Sequence, residues 1–287
     1  GTRGLYAGGQ SNSDTIDYVN IDSTGNATDF GNLISAREGP VGSGDRTRGV
    51  FFAGDGSPEA NDIQHVTFAS TGDATDFGND TGANHTIGAG FQNSTRSGVA
   101  GGSGNTQQID FITTQSSGVS NDFGDMVDGR SCSGASSPTR GLFFGGYKSP
   151  SSTSFNLIEY VITSTTGNAA DFGDLSQTGH FLGTASNAVR AVMGSRQQTP
   201  TIINTIDYVT MATLGNAQEF GDSTTAGYGA SASASKTRCV WGGDSSPGLT
   251  NTMDYVQIMT TGNAIDFGDL NASTRYVGAT SNNGGGL

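Results

Sequence analysis

The sequence has little charge, cysteine or proline, and no long apolar run. Charged residues make up 14% of its 287 positions, against ~25% in an ordinary soluble domain. Two cysteines, Cys132 and Cys239, do not make a disulfide framework, and six prolines exclude collagen and proline-rich linkers. Because no run of 18 apolar residues is present, we expect no transmembrane helix and no membrane insertion. Long amphipathic helices are excluded too, since no window carries the apolar spacing i, i+3, i+4, i+7.

Basic residues are also scarce. Lys and Arg number 13 against 26 Asp and Glu, which gives a net charge of −13. Phosphate backbones and anionic membrane surfaces repel such a chain, so nucleic acid is not an expected partner. Glycine is abundant instead, at 46 residues, together with Ser, Thr, Asn and Asp. These residues favour tight turns, and they predict many short strands.

One phrase returns six times along the chain. It reads TGNATDFGN at 24–32, and its phenylalanine recurs at intervals of 46 to 49 residues. The six phenylalanines are Phe30, Phe77, Phe123, Phe172, Phe220 and Phe267. A fixed period of this length is typical of solenoids, propellers and arrays.

Each period contains four strand-like segments. In the second period these are 40–43, 48–54, 63–68 and 74–78. In five of the six periods the fourth segment is entered through a Gly-Asn or Gly-Asp pair, which suits a two-residue hairpin. Four antiparallel strands in about 45–50 residues describe one propeller blade.

The two ends of the chain decide how the ring closes. Residues 2–9 form a second segment without a first, and residues 273–281 form a first segment without a second. The C-terminal strand can therefore complete the first blade and remove the open edges. The sequence thus predicts an all-β, six-bladed β-propeller in one domain, residues 1–281, with a tail or linker at 282–287. Because no initiator Met stands at position 1, a longer parent polypeptide is one expectation.

The end of the second segment resembles the kelch repeat. It carries a double glycine at Gly8-Gly9, Gly101-Gly102, Gly145-Gly146 and Gly242-Gly243, with departures at Gly54-Asp55 and Gly194-Ser195. The fourth strand carries Phe where kelch repeats usually carry Trp. The wording of the repeat also resembles kelch-like propellers in virion and tail proteins of marine tailed phages. The resemblance implies a galactose-oxidase-like kelch propeller that is located on a virion, in an extracellular setting.

Two charged positions recur in every period. An arginine begins each second segment, and an acidic residue precedes each phenylalanine. The arginines are Arg3, Arg48, Arg96, Arg140, Arg190 and Arg238, and the acidic residues are Asp29, Asp76, Asp122, Asp171, Glu219 and Asp266. Residues repeated in every blade favour a structural role, and a guanidinium suits two-point contact with a carboxylate. We therefore predict a sixfold ring of Arg–carboxylate pairs between strands or blades.

Calcium is the alternative for these carboxylates. Asp or Asn also follows each Phe-Gly pair, and such oxygens are calcium ligands. Strand alternation, however, puts Asp29 and Asn32 on opposite faces, and the spacing is not that of a known calcium loop. We expect no metal and no cofactor.

Aromatic side chains recur in the third segment. They are Tyr18, Phe111, Tyr160, Tyr208 and Tyr255, with His65 at the matching place of the second period. We expect them to pack between blades together with the six repeated phenylalanines, because aromatic side chains bury large areas.

A more variable set stands seven or eight residues after each phenylalanine, at the start of the first segment. The set is Arg37, His85, Arg130, His180, Tyr228 and Arg275. Since the first segment is the innermost strand of a blade, we predict that these side chains ring one mouth of the central channel. A donor-rich mouth in an acidic protein suits a carboxylate, sulfate or phosphate. The kelch resemblance implies a ligand-binding role for Arg37, Arg130 and Arg275. The alternative is that the arginines pair with carboxylates such as Glu38 or Asp128.

Catalysis is not expected. Three histidines without metal-ligand spacing do not fit the copper site of galactose-oxidase relatives. The Asp-box of six-bladed sialidases is missing, and no G-x-S-x-G context supports Ser/His/Asp chemistry.

The leading hypothesis is a non-catalytic binding or adhesion module of a phage virion, in a tail, fibre or surface appendage. Its partners would be host surface glycan or other virion proteins. Loops between the second and third segments are expected to set specificity. These loops are 10–15, 56–62, 147–156, 196–204 and 244–251. The alternatives are a purely structural virion decoration or spacer and a glycan-active enzyme, and a homo-oligomer in a larger assembly is compatible with each.

Overall fold

A computed structural model describes residues 1–56, 61–82, 84–245 and 247–283. These residues form 26 β-strands and no helix, arranged as six four-stranded antiparallel blades. The predicted all-β, six-bladed propeller is confirmed. Within the described ranges, no helix is long and apolar enough to cross a membrane.

The strands follow one another blade by blade. Blade 1 contains β1 (Arg3–Ala7), β2 (Ser13–Asn20) and β3 (Thr28–Arg37). Blade 2 contains β4 (Val41–Gly44), β5 (Arg48–Phe52), β6 (Asp62–Thr67) and β7 (Thr75–Asn79). Blade 3 contains β8 (Ala89–Gln92), β9 (Arg96–Ala100), β10 (Gln108–Thr113) and β11 (Asn121–Asp125). Blade 4 contains β12 (Ser131–Ser136), β13 (Arg140–Lys148), β14 (Thr153–Ile162) and β15 (Ala170–Asp174). Blade 5 contains β16 (Gly183–Ser186), β17 (Arg190–Gly194), β20 (Thr205–Thr210) and β21 (Gln218–Asp222), with β18 (Arg196–Gln198) and β19 (Thr201–Ile203) as a separate hairpin. Blade 6 contains β22 (Ser231–Ala234), β23 (Arg238–Ser245), β24 (Leu249–Gln257) and β25 (Ile265–Thr274).

The C-terminal strand closes the ring as predicted. β26 (Gly278–Ser281) pairs antiparallel with β1 and supplies the innermost strand of blade 1, with Thr280 opposite Leu5. The first residues of the predicted tail are held in the fold: Asn283 is buried, and its Nδ2 donates to Ser186 O at 3.2 Å. Residues 284–287 lie outside the described part of the chain.

The hydrophobic core lies between the blades. Six clusters of buried apolar side chains each combine residues of two neighbouring blades. At the first junction, Phe30 of blade 1 packs with Phe51 and Phe68 of blade 2. The second strand of each blade is covered on both faces, which explains its continuous apolar run. The prediction that the six repeated phenylalanines pack between blades is confirmed.

The repeated Thr-Gly-Asn-Ala segment does not form the predicted two-residue hairpin. It leaves its own blade and runs beside the outermost strand of the preceding blade. Gly72 N donates to Phe30 O at 2.7 Å, and Ala74 N donates to Asn32 O at 2.8 Å. An equivalent pair of hydrogen bonds forms at each of the other five junctions. The segment is repeated because it covers the open edge of the neighbouring blade.

This contact also explains the glycine that follows each repeated phenylalanine. Gly78 has a φ of +143°, and a Cβ at this position would lie 1.9 Å from Gly118 O of blade 3. Both the backbone conformation and the closeness of the next blade therefore exclude a side chain.

The six repeated arginines join the blades through main-chain carbonyls. Each guanidinium donates to a carbonyl of the next blade, as Arg140 does to Met211 O at 2.9 Å. Five of the six also lie 4.4 to 5.0 Å from the centroid of the third-strand aromatic ring. Such cation–π contacts stabilise the half-buried guanidinium.

The predicted Arg–carboxylate pairs are not formed. No ion pair of the described residues contains one of these arginines. The pairing register gives the reason: Arg140 lies opposite Ile162 at the end of β14, whereas Asp171 lies opposite Glu159 on the other side of that strand. The acidic residues before the phenylalanines are exposed instead.

Candidate functional site

The six side chains predicted at the channel mouth do not share one structural position. The innermost strands pair with the second strands in the same register in every blade, which defines equivalent positions. Arg37 and His85 stand five residues before one such position, occupied by Gly42 and Gly90. The remaining members stand four residues before it; they are Arg130, His180, Tyr228 and Arg275. The six residues are grouped by their distance in sequence from the repeated phenylalanines, and this grouping combines two different structural positions.

Arg37 and Arg130 are buried and paired with carboxylates. The Arg130 guanidinium lies 2.8 Å from Glu159 Oε2, and both side chains are fully buried. Arg37 pairs with Asp62. These two arginines thus form ion pairs, as the alternative prediction proposed. Their partners, Asp62 and Glu159, lie on third strands and are not the sequence neighbours Glu38 and Asp128.

His85 is fully buried as well. Its Nδ1 donates to Gly101 O at 2.6 Å, while its Nε2 lies 3.0 Å from Asp110 Oδ2 and 3.6 Å from Asp80 Oδ2. Burial alone would lower the pKa of His85, but the hydrogen bond to Asp110 and the charge of Asp80 outweigh it and raise that pKa. Burial raises the pKa of Asp80. The possible ligand atoms of Asp80, His85 and Asp110 lie within 4.8 Å of one another, a spacing that suits a metal ion.

The other three predicted residues, His180, Tyr228 and Arg275, contact a group of aromatic side chains, and two of these, Phe181 and Tyr276, line the central channel. Phe181 is central: its ring centroid lies 4.6 Å from His180, 5.1 Å from Tyr276 and 6.3 Å from Tyr228. Tyr147, from the end of β13, stacks on His180 at 4.9 Å. We call these five residues the aromatic cluster. They come from blades 4, 5 and 6 and from the segment that leads to β26, so they belong to consecutive blades of the ring.

Two rings of the aromatic cluster are held in an unfavourable backbone conformation. Phe181 and Tyr276 both have a φ of +56°. Equivalent positions of other blades carry Gly39, Ile87 and Gly229, also at positive φ. A bulky residue in this region costs about 1–3 kcal/mol, and such strain is concentrated at functional sites. The strain places two large rings at the channel rim, where glycine would fit the backbone better.

Arg275 is a cation beside these rings. Its guanidinium carbon lies 4.6 Å from the Tyr276 centroid and 5.0 Å from the Tyr228 centroid, and NH1 donates to the Tyr228 hydroxyl. The half-buried Arg275 forms no ion pair with any residue that the structure describes, and its buried Nε has no hydrogen-bond partner. A guanidinium in this setting gains most from an anionic partner.

Tyr276 and His180 are neutral at pH 7. Burial raises the pKa of Tyr276 to about 12, and the nearby Arg275 charge offsets this only in part. Burial lowers the pKa of His180, whose Nδ1 lies 2.9 Å from Ser154 Oγ. Arg275 therefore supplies a permanent positive charge beside the neutral Tyr276 hydroxyl and the His180 imidazole.

The cluster opens onto the central channel. Small residues of the innermost strands line this cavity, among them Gly42, Gly90 and Gly134, and Phe181 and Tyr276 stand at its rim. Its empty volume is about 550 Å³, part of it open to solvent.

Some of the predicted specificity loops frame the aromatic cluster. In blade 4 the loop is a hairpin formed by the ends of β13 and β14, which brings Tyr147 to the cluster. In blade 5 it is the β18–β19 hairpin, where Gln197 exchanges two main-chain hydrogen bonds with His180. Parts of two other loops, residues 57–60 and 246, lie outside the described ranges.

The sequence prediction missed a ring of polar side chains on the third strands. The residue before each third-strand aromatic is Asp17, Gln64, Asp110, Glu159, Asp207 or Asp254. In five blades it accepts a hydrogen bond from a main-chain N–H of the preceding blade, four residues after the repeated phenylalanine. For example, Val127 N donates to Glu159 Oε1 at 2.7 Å. The recurrence of a polar residue at this position was the available signal.

No protein-family model matches the chain, and no curated protein matches it significantly. The functional argument therefore depends on the geometry of the channel mouth and on the sequence pattern.

Proposed function

We propose that this protein is a non-catalytic binding module that recognises an acidic carbohydrate at the aromatic side of the channel mouth. The observation that carries the proposal is Arg275, a half-buried guanidinium between two tyrosine rings that has no carboxylate partner among the described residues. A carboxylate or sulfate of the ligand would supply the counter-ion through charge-assisted hydrogen bonds.

The surrounding rings suit the rest of such a ligand. A sugar ring has apolar C–H faces and a polar edge, and aromatic side chains such as Phe181 and Tyr276 combine flat apolar surface with a nearby hydroxyl. The Tyr228 hydroxyl and the His180 imidazole add groups that can hydrogen-bond to sugar hydroxyls. Because these residues are attached to a rigid ring of strands, little conformational entropy is lost on binding.

The overall charge narrows the ligand class. A net charge of −13 repels a highly charged polyanion at long range. A glycan with isolated acidic groups would meet the local positive charge of Arg275 without that penalty. The resemblance of the repeat to kelch-like propellers of phage virion and tail proteins supports a place on a virion, where host surface glycan or another virion protein would be the partner.

A glycan panel tests this proposal. It would compare sugars that carry sialic acid, uronic acid or sulfate with their neutral counterparts, using the unmodified chain, Arg275→Gln and the control Arg140→Gln. Arg140 also stacks on a tyrosine, but its guanidinium contacts a main-chain carbonyl at a blade junction.

We expect binding to acidic members of the panel, a 10–100-fold loss with Arg275→Gln, and unchanged affinity with Arg140→Gln. The loss follows from ~1.5–3 kcal/mol for a hydrogen bond to a charged group. No binding to acidic glycans, or equal binding by both variants, would refute the proposal and favour a structural role in the virion.

A further inference from the structure

The junction between blades 2 and 3 departs from the repeat at three positions that meet in space. Asp80 stands three residues after its phenylalanine, where four other blades bury Leu33, Met126, Leu175 and Leu270. His85 occupies the position that is equivalent to Arg37 at the junction of blades 1 and 2. Asp110 belongs to the ring of third-strand polar residues, but it does not accept the main-chain hydrogen bond that the other five accept.

Another side chain has taken over that hydrogen bond. Thr81 N, the equivalent donor, donates to Ser120 Oγ at 2.9 Å. Asp110 Oδ2 is thereby left to face His85 Nε2, and Asp80 Oδ2 is buried with no hydrogen-bond partner. Asp80 is only 2% exposed, so bulk solvent does not reach this oxygen, and a buried polar atom without a partner calls for one.

We propose that Asp80, His85 and Asp110 bind a divalent transition-metal ion of the Zn²⁺ class that clips blade 2 to blade 3. The distances from His85 Nε2 to the two Oδ2 atoms are 3.0 and 3.6 Å. Ligands at ~2.0–2.1 Å from a tetrahedral metal lie about 3.3–3.4 Å from one another. The two histidine–carboxylate distances therefore lie close to the spacing of a tetrahedral zinc site, and all three donor atoms lie within 4.8 Å of one another.

The atoms of these side chains that would face away from the metal are already held. His85 Nδ1 donates to Gly101 O, which fixes the ring with Nε2 directed at the two carboxylates. Asp80 Oδ1 accepts a hydrogen bond from Ser120 Oγ at 2.6 Å, and Asp110 Oδ1 accepts one from Gln108 Nε2 at 3.3 Å. Outer hydrogen bonds of this kind orient metal ligands in proteins.

Charge also favours a divalent ion. The two carboxyl groups lie in a buried place with no Lys or Arg within ion-pair distance in the described ranges. A divalent metal with a neutral imidazole and two carboxylates is neutral overall. One imidazole with two carboxylates suits zinc better than calcium, which takes six to eight oxygens.

Metal content of the full chain, produced without a histidine tag, tests the proposal. The protein would be unfolded with a chelator, refolded with ZnCl₂, passed through a desalting column and analysed by mass spectrometry for zinc. We expect one zinc per chain and a higher unfolding temperature than for protein refolded without metal. Co²⁺ in place of zinc should give the visible absorption of a four-coordinate site.

Two variants and a control separate metal binding from folding. Asp80→Leu restores the residue type of four other blades, so we expect it to fold and to retain no zinc. His85→Gln should also lose the metal, whereas His180→Gln should keep one zinc per chain. Absence of zinc from the unmodified chain, or an unchanged zinc content in Asp80→Leu, would overturn the proposal and leave a protonated histidine between two carboxylates.

Discussion

Replacement of Gly78 by alanine is expected to weaken the junction between blades 2 and 3. Two costs combine at this position. The φ of +143° is unfavourable for any residue with a Cβ, at about 1–3 kcal/mol. The new Cβ would also lie 1.9 Å from Gly118 O, so the backbones must separate, at a further ~1–3 kcal/mol.

Gly118→Ala is the matched control, because it lies on the other side of the same contact. Gly118 has a φ of +156°, but a Cβ there would meet no atom within 4 Å. Its cost should therefore be the conformational cost alone, about 1–3 kcal/mol. The difference between the two variants isolates the close approach of the blades.

Urea unfolding measures both variants, with fluorescence and circular dichroism compared to check that the transitions coincide. We expect Gly78→Ala to lose about 2–6 kcal/mol and to exceed Gly118→Ala by about 1–3 kcal/mol. Equal losses in the two variants would refute the explanation of the repeated glycine as a backbone contact between blades.

Three further predictions use the same measurement. Arg196→Met should cost about 3–5 kcal/mol, because it leaves the buried Asp207 carboxylate without the guanidinium 2.7 Å away; a loss below 1 kcal/mol would contradict this. Burial raises the pKa of Asp244 from 3.8 to about 6, so the folded state binds more protons than the unfolded state between these pH values. The free-energy cost of ionising this buried carboxyl therefore lowers the stability of the fold as pH rises from about 4 to about 6. Asp244→Asn should accordingly be more stable than the unmodified chain at pH 7 and no more stable near pH 3.5, and an equal gain at both pH values would contradict the shift. Arg140→Gln should cost about 1–2 kcal/mol and Asp171→Asn under about 0.5 kcal/mol, whereas similar costs would support an ion pair between them.

The fold could be predicted because it depends on features that repeat. The interval between phenylalanines such as Phe30 and Phe77 reports the blade, and the unmatched segments at the two ends report the closure. The role of the Thr-Gly-Asn-Ala segment could not be predicted, since a Gly-Asn pair is equally suited to a hairpin. Only the neighbouring blade, which no local pattern describes, decides that the segment covers an edge.

The candidate site could be predicted only in part. The pattern led to His180, Tyr228 and Arg275, which contact Phe181 or Tyr276. It does not indicate Phe181 and Tyr276 themselves, which line the channel and each directly follow one of the three in sequence. Their importance comes from a positive φ, which for a large side chain has no sequence signature.

The buried members of the predicted set show a second limit. Arg130 is chemically as suited to a ligand as Arg275, but Glu159 reaches it across the blade. Whether an arginine finds a carboxylate depends on strand register, and a one-residue change in a connecting loop alters that register.

The position of a bound ligand tests the central claim most directly. A crystal structure of the protein with an acidic oligosaccharide from the panel should show the acidic group within hydrogen-bond distance of Arg275 and a sugar ring against Phe181 or Tyr276. A ligand on the outer rim, or on the loops of blades 2 and 3, would contradict recognition at the channel mouth.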